Sequence, residues 1–267
     1  MASIPAYAGH PNEDFGCVTP TGAVLLDGAG LSGTTTRCKH GVDWFARTLG
    51  GSIASKLAAT EQGLRAVLSD AILETANLHR HTCDLNDPGT PSATVIVVRI
   101  VEEMIQYLVL ADSVLTIELS MGDPLVVTDD REALVGRHLR QQMDQLSNGT
   151  TEHDAARREY VQALRAHRNR HGGFWVAAAD PDVAEEALVG ELPLRNARSV
   201  TLLSDGASRL VDRFHQADWP ELVEMLRQDG PEELLKRVRT LEEADPEGRR
   251  WPRGKANDDA TALFLEL

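Results

Sequence analysis

The chain has 267 residues, of which 42% are hydrophobic, and this suits one large domain, residues 1–267, with a sizeable core. A formal net charge of −14 disfavours nucleic acid as a main partner, because that many negative charges repel a phosphate backbone. The three cysteines, Cys17, Cys38 and Cys83, contain no CxxC pair, which argues against a disulfide framework and a structural zinc module and favours a reducing compartment.

The first elements of the chain combine turn signals with apolar runs. Residues 1–10 lack the basic and apolar regions of a signal peptide, so we expect a cytoplasmic protein with no membrane partner. Residues 23–27 follow the turn signal Pro20-Thr21-Gly22, which predicts a hairpin strand ending at Asp27. Residues 51–80 have helical spacing of apolar side chains and predict one or two helices starting at Ser52.

The rest of the chain groups strands and helices in blocks. Strands are predicted at 93–101, 107–119, 199–203 and 260–267, and helices at 130–170 and 220–243. Regular alternation of strand and helix is absent, which favours a layered α+β sandwich with mainly antiparallel sheets. Five arginines between 157 and 170 are interpreted as a solvated helix face rather than a nucleic-acid site.

Acidic residues recur where predicted strands end. Asp27-Gly28 and Asp205-Gly206 each close an apolar run, although an Asp-Gly pair alone is a common turn. Asn12-Glu13-Asp14 and Asp258-Asp259 add two more acidic turns. Two carboxylates about 4 Å apart repel by about 4 kcal/mol at an effective dielectric of 20, so a cluster of them needs cations. Oxygen ligands favour Mg²⁺ or Mn²⁺.

Six segments, in chain order, resemble the motifs of the metal-dependent protein phosphatase family, also called the protein phosphatase 2C type. They are Asn12-Glu13-Asp14, Asp27-Gly28-Ala29-Gly30, residues 90–94, Ala111-Asp112-Ser113, Ser204-Asp205-Gly206 and Asp258-Asp259-Ala260-Thr261. The resemblance covers nearly the whole chain. It implies an α-β-β-α four-layer sandwich and hydrolysis of phosphoserine and phosphothreonine in a phosphorylated protein substrate, with a Ser/Thr kinase as a candidate partner in signal transduction.

The resemblance also implies a catalytic centre with two Mn²⁺ or Mg²⁺ ions. Asp27 would bridge the ions, the carbonyl of Gly28 would hold the first, and Asp205 and Asp258 would complete the second. Such a pair of ions lowers the pKa of a bridging water, which can then attack phosphorus in line without a protein nucleophile.

Three further acidic residues have less central roles by the same resemblance. Glu13 and Asp14 would act mostly through bound water. Asp112, with Asp205, resembles the positions that hold a third, weaker metal in many members, but an Asp that caps a turn between strands fits it equally.

The chain departs from the family pattern at the phosphate-binding and proton-donating positions. Gly9 stands where many members have an arginine, and Ala29 stands where many have a histidine. His10 and Arg37 are candidates to bind substrate phosphate, and a surface-loop role is the alternative for each. With both family side chains absent, a phosphoprotein-binding regulatory module without turnover is the competing function.

Two other patterns carry weaker hypotheses. Residues 28–33 match the GxGxxG dinucleotide fingerprint, but Asp27 would direct a negative charge at the pyrophosphate, so this interpretation is rejected. His79, His81 and Cys83 form an H-x-H-x-C group, for which a polar helix end is favoured over zinc because a fourth ligand is missing nearby.

Overall fold

The computed structural model describes residues 1–30, 37–59 and 62–267. The strands are β1 (Ala2–Ile4), β2 (Phe15–Thr19), β3 (Gly22–Leu26), β4 (Gly28–Ala29), β5 (Ser92–Ala93), β6 (Val95–Val101), β7 (Met104–Leu110), β8 (Val114–Leu119), β9 (Leu125–Val127), β10 (Leu188–Pro193), β11 (Ala197–Leu203) and β12 (Ala260–Glu266). The α-helices are α1 (Val42–Ala59), α2 (Leu64–His79), α3 (Arg131–Met143), α4 (Thr151–His167), α5 (Asp205–Asp212), α6 (Trp219–Asp229) and α7 (Pro231–Ala244). None of the helices in these ranges is long and apolar enough to span a bilayer.

Most strands lie in two five-stranded sheets. Sheet A has the order β1-β12-β11-β8-β9, and sheet B has the order β10-β7-β6-β3-β2. β4 and β5 form a small separate ribbon. Every pairing of these strands is antiparallel, as the sequence predicts.

Strand β3 is buried along its whole length because both faces of sheet B are covered. Ala23 and Leu25 belong to the apolar cluster between the two sheets. Val24 and Leu26 belong to the cluster that packs against α1 and α2. Since successive side chains of a strand point to opposite faces, one short apolar run joins two layers of the protein.

Helices α5, α6 and α7 form the opposite outer layer. Their residues Leu210, Leu226 and Leu234 pack with Ala260 and Ala262 of β12 in a third buried cluster. The layers are therefore α1 and α2, sheet B, sheet A, and α5 to α7. This confirms the expected α-β-β-α sandwich.

The first helix begins earlier than predicted. It starts at Val42 rather than at Ser52, and Gly50 and Gly51 lie inside it. The Gly-Gly pair interrupts the apolar pattern, so the sequence suggests a helix start after it. A Cβ atom on Gly50 would lie 2.2 Å from Cδ1 of Phe15, so the glycine allows α1 to approach β2 closely.

Two predicted elements are each divided in the structure. The predicted strand 107–119 is the end of β7 and the whole of β8, separated where Ala111 adopts a positive φ of 70°. The predicted helix 130–170 is α3 and α4, with a connection over residues 144–150. The segment after Gly172, where no strand is predicted before residue 199, contains β10, which pairs with β7 at the edge of sheet B.

The rejected dinucleotide fingerprint falls partly on β4. A dinucleotide fingerprint requires these glycines to open a helix. Gly28 and Ala29 instead form a strand that pairs with β5. The rest of the pattern after Gly30 lies outside the described residues.

Candidate active site

Asp27 follows directly after β3 and is held by the start of the neighbouring strand. Its backbone N–H donates to Oγ1 of Thr94 at 3.2 Å, and its carbonyl accepts from the N–H of Thr94 at 2.9 Å. Oγ1 of Thr94 also shares a hydrogen bond of 2.6 Å with Oγ of Ser113. These contacts fix the backbone of Asp27 at one edge of sheet B.

Gly28 lets the acidic N-terminal turn approach this edge. A Cβ atom at position 28 would lie 2.3 Å from the carbonyl oxygen of Glu13 and 2.5 Å from Cγ1 of Val42. Any other side chain would therefore push apart the turn at Asp27, the segment at Glu13 and the start of α1.

Asp205 connects the two sheets at the same edge. It is the first residue of α5, so the predicted Asp-Gly turn is instead the start of a helix after β11. The backbone N–H of Asp205 donates to Oδ2 of Asp27 at 3.0 Å. The end of β3 in sheet B and the end of β11 in sheet A are thus in direct contact.

Asp259 ties the last acidic pair to the N-terminal segment. Its Oδ1 accepts from the N–H of Ala6 at 2.7 Å, and its Oδ2 accepts from the N–H of Glu13 at 2.9 Å. A Cβ atom on Gly206 would lie 1.9 Å from the carbonyl oxygen of Asp259, so α5 packs against this segment backbone to backbone. Four stretches of chain that are distant in sequence therefore meet here.

Asp14 is buried in this cluster without a hydrogen-bond partner for either carboxylate oxygen. Burial raises its pKa from 3.8 to about 8, which the nearby hydroxyls of Thr261 and Ser204 only partly oppose. A buried polar group without a partner is costly, and it indicates a site that something else completes.

Asp27 and Asp205 also have raised pKa values. Burial, followed by repulsion from Asp14, Asp205 and Asp258, raises the pKa of Asp27 well above its ordinary value. Burial by the surrounding chain, followed by repulsion from Asp258, raises the pKa of Asp205. Asp205 is exposed to solvent, so repulsion is the main physical cause at this side chain.

The pKa of Asp258 is lowered rather than raised, because two cationic side chains contact its carboxylate. Burial alone would raise its pKa, but Lys255 and Arg209 outweigh burial and lower it. Nζ of Lys255 lies 2.7 Å from Oδ1, and Nη2 of Arg209 lies 2.9 Å from Oδ2. Arg209 is itself held by Glu242, which is fully buried, at 2.5 Å.

Asp112 lies in the turn between β7 and β8, near Glu132 of α3. Burial, followed by repulsion from Asp205, raises the pKa of Asp112 from 3.8 to about 7. Burial, followed by repulsion from Asp112 and Asp205, raises that of Glu132 from 4.5 to about 8. Asp112 and Glu132 thus extend the acidic cluster beyond Asp205.

Sequence reasoning missed Glu132, Lys255 and Arg209. Glu132 is in the first turn of a helix, where an acidic residue usually interacts with the helix dipole. Lys255 precedes Asp258 by three residues and Arg209 follows Asp205 by four, so their proximity to the predicted acidic residues was the available signal.

The candidate phosphate-binding side chains lie at the surface. His10 is exposed and contacts Tyr7 edge to face, with ring centroids 5.9 Å apart. Arg37 is exposed, pairs with Asp84 at 3.2 Å, and donates its backbone N–H to Asp87 at 2.6 Å. Their roles in phosphate binding stay predictions.

We expect the metal-free protein to lose stability as the pH rises from about 4 to about 8. In this range the folded protein keeps protons on Asp14 and Glu132 that the unfolded chain has released. A raised carboxyl pKa contributes stability that is fully present below the unfolded pKa and is lost as the pH approaches the folded pKa. Thermal unfolding in EDTA should show a Tm that falls as the pH rises, and Asp14→Asn should make this fall smaller. A Tm that rises with pH would contradict the expectation.

Comparisons with solved structures reveal the same fold in bacterial phosphatases. The PPM Ser-Thr phosphatase MsPP from Mycobacterium smegmatis is 18% identical, with a TM-score of 0.58 over 100% of this chain and 96% of that one. Stp1 from Staphylococcus aureus is 14% identical, with a TM-score of 0.61 over 100% and 93%. PstP, in a complex with two manganese ions, is 17% identical, with a TM-score of 0.57 over 99% and 95%.

The sequence itself matches a known family. No protein with a curated description matches it. The family described as protein phosphatase 2C, however, matches residues 6–241, which is most of the chain. The chain therefore belongs to the protein phosphatase 2C family of Ser/Thr phosphatases, enzymes that hydrolyse phosphomonoesters.

Proposed function

We propose that this chain, acting as one domain over residues 1–267, is a metal-dependent phosphatase that hydrolyses phosphoserine and phosphothreonine in proteins. The observation that carries the proposal is the meeting of Asp14, Asp27, Asp205 and Asp258 at one edge of the two sheets, where burial and repulsion between the carboxylates raise the pKa of the first three. Opposed carboxylates of this kind are tolerated when cations neutralise them.

The residues present fit Mg²⁺ or Mn²⁺. Every candidate ligand is an oxygen, which these hard cations prefer. Both oxygens of Asp14 are buried without partners, and Asp27 is surrounded by other acids. We propose that Asp27, the carbonyl of Gly28, Asp205 and Asp258 hold a pair of ions, that Glu13 and Asp14 act mostly through water, and that Asp112 with Asp205 holds a third. When bound, such ions would activate a water for in-line attack and neutralise the phosphoryl oxygens.

The chain's own residues keep these ligands in position. Thr94 fixes the backbone of Asp27 from both sides, and the N–H of Asp205 orients one oxygen of Asp27. Asp259 holds the N–H of Glu13, so the N-terminal segment stays against the cluster. Positioning of this kind lowers the barrier because little reorganisation is needed when the substrate arrives.

Lys255 is a local competitor for divalent ions. Its ammonium contacts Oδ1 of Asp258 at 2.7 Å, and its own pKa is raised mainly by Asp258 and Asp205 against the effect of burial. We expect Lys255→Met to lower the half-saturating Mn²⁺ concentration by about tenfold, equivalent to about 1.4 kcal/mol, because a positive charge leaves the site. Phosphate release titrated with Mn²⁺ measures this effect.

Two control variants accompany this titration. Lys255→Arg keeps the charge, and Lys236→Met removes an exposed lysine of α7, so both should retain the Mn²⁺ requirement of the parent protein. An unchanged Mn²⁺ requirement in Lys255→Met would contradict this competition, and a higher requirement would show that Lys255 assists metal binding.

A phosphoprotein-binding module without turnover is the alternative function. Gly9 and Ala29 lack the family's side chains, and both oxygens of Asp258 are already contacted by cations. Phosphate release from phosphoserine and phosphothreonine peptides, with Mn²⁺ and with EDTA, separates the two functions. Metal-dependent release supports the enzyme. Binding of the same peptides with no release above the uncatalysed rate supports the module. We propose a Ser/Thr kinase as a partner, and a role in signal transduction, only if the chain is the enzyme.

A further inference from the structure

Two cysteines and two histidines meet at the end of α2, on segments that are distant in sequence. Cys38 and His40 lie just before α1, His79 is the last residue of α2, and Cys83 follows in the next loop. One ligand atom from each, namely Sγ or a ring nitrogen, lies within 4.8 Å of all the others. None of the four belongs to the acidic cluster.

Three sulfur–nitrogen distances in this Cys2His2 cluster are close to those of tetrahedral coordination. Sγ of Cys38 lies 3.6 Å from Nδ1 of His79 and 3.9 Å from Nδ1 of His40, and Sγ of Cys83 lies 3.4 Å from Nδ1 of His40. With Zn–S of about 2.3 Å and Zn–N of about 2.0–2.1 Å, sulfur and nitrogen ligands of a tetrahedral zinc ion are about 3.6 Å apart. A single ion at the centre would therefore reach all four atoms with little movement.

The surroundings of the cluster also suit a bound metal. Cys38 and His79 are buried, and His40 stacks on Trp44 with ring centroids 4.0 Å apart. The backbone N–H of Lys39 donates to Sγ of Cys83 at 3.3 Å. Amide donors of this type stabilise the negative charge of a coordinated thiolate.

We propose that Cys38, His40, His79 and Cys83 bind one structural Zn²⁺. Two thiolates and two imidazoles prefer zinc to the hard cations suited to the acidic cluster, and four protein ligands leave no open position for catalysis. Cys17, Cys38 and Cys83 all lie in the described part of the chain, and none of them forms a disulfide.

The zinc would fasten the segment beside the active site. Cys38 and His40 lie between the turn at Asp27 and the start of α1, and Val42 packs against Gly28. The ion would join this segment to the end of α2, where the contact of Arg37 with Asp84 also connects them. It thus stabilises the position of α1 against the turn that carries Asp27.

The spacing of residues along the sequence suggests a different set of candidate zinc ligands. The H-x-H-x-C pattern points to His79, His81 and Cys83, with no fourth ligand nearby and a polar helix end as the favoured interpretation. His81 is exposed and is not in the cluster, whereas Cys38 and His40 come from far upstream. Only the packing of α1 against α2 brings the two pairs together.

Metal analysis of the full chain, purified under reducing conditions and dialysed against Mg²⁺, tests the proposal. We expect about one zinc ion per chain by mass spectrometry of the elements, and loss of it in Cys38→Ser and Cys83→Ser. Cys17→Ser and His81→Ala are the matched controls, and both should retain zinc. Asp27→Ala should retain it as well, because the acidic cluster is a separate site.

A second measurement on the unmodified protein guards against variants that fail to fold. Replacement of zinc by Co²⁺ should give the visible absorption of a tetrahedral thiolate site, and a chelator should expose Cys38 and Cys83 to a thiol reagent and lower the Tm. Absence of zinc together with reaction of all three cysteines before chelation would overturn the proposal. A mass lower by two hydrogens, with Cys38 linked to Cys83 in the reduced preparation, would assign a disulfide instead.

Discussion

Asp27→Ala is expected to lower Mn²⁺-dependent phosphate release by about 1,000-fold, which corresponds to about 4 kcal/mol of lost transition-state stabilisation. Asp27 sits at the centre of the cluster, repelled by three other carboxylates and bonded to the N–H of Asp205. Removing it eliminates the proposed bridging ligand. Steady-state hydrolysis of a phosphothreonine peptide measures the effect.

Controls separate this loss of activity from unfolding. Asp123→Ala removes an exposed carboxylate in the connection between β8 and β9 and should keep full activity. Asp27→Asn retains an oxygen for the hydrogen bond from Asp205 while removing a buried charge, so its metal-free Tm should not fall. Substantial Mn²⁺-dependent turnover in both Asp27 variants would exclude Asp27 from the catalytic centre.

Gly206→Ala is expected to destabilise the protein by about 1–3 kcal/mol and to lower activity by about 100-fold. The added Cβ atom would lie 1.9 Å from the carbonyl oxygen of Asp259, which is a backbone atom and cannot rotate away. Either the start of α5 or the segment before β12 must move, which separates Asp205 from Asp258. Urea denaturation and the Mn²⁺-dependent assay measure the two effects.

Gly51→Ala is the matched control for this substitution. Gly51 also lies in a helix, but apart from the adjacent backbone of that helix nothing lies within 4 Å of its added Cβ atom. Alanine there should stabilise the protein by about 0.5–1 kcal/mol, since it restricts the unfolded chain and favours helix. If Gly206→Ala stabilised the protein as Gly51→Ala should, α5 could not pack closely against Asp259.

The strands that carry the site were predictable from local sequence. Residues 23–27, 199–203 and 260–267 are apolar runs next to turn residues, and they correspond to β3, β11 and β12. The order of the acidic motifs identified the family, and the family supplied the sandwich that composition alone left open. Local patterns were sufficient to predict these strands, because each strand has its own apolar run and its own adjacent turn residues.

Contacts between distant segments were not predictable in the same way. The positive φ of Ala111 divides an apolar run into β7 and β8, although alanine rarely adopts this conformation. Burial, followed by repulsion from Asp112 and Asp205, raises the pKa of Glu132, and both effects arise only through the packing of α3. Cys38 and His79 are likewise joined only by the packing of α1 and α2. The conformation of Ala111, the pKa of Glu132 and the contact of Cys38 with His79 therefore depend on tertiary structure.

Anomalous diffraction from crystals grown with Mn²⁺ would locate the metal ions at this edge of the two sheets. We expect a pair of manganese peaks bounded by Asp27, Asp205 and Asp258, with Asp14 facing them through water. Manganese density absent from this edge of the sheets, at a concentration that supports phosphate release, would contradict it.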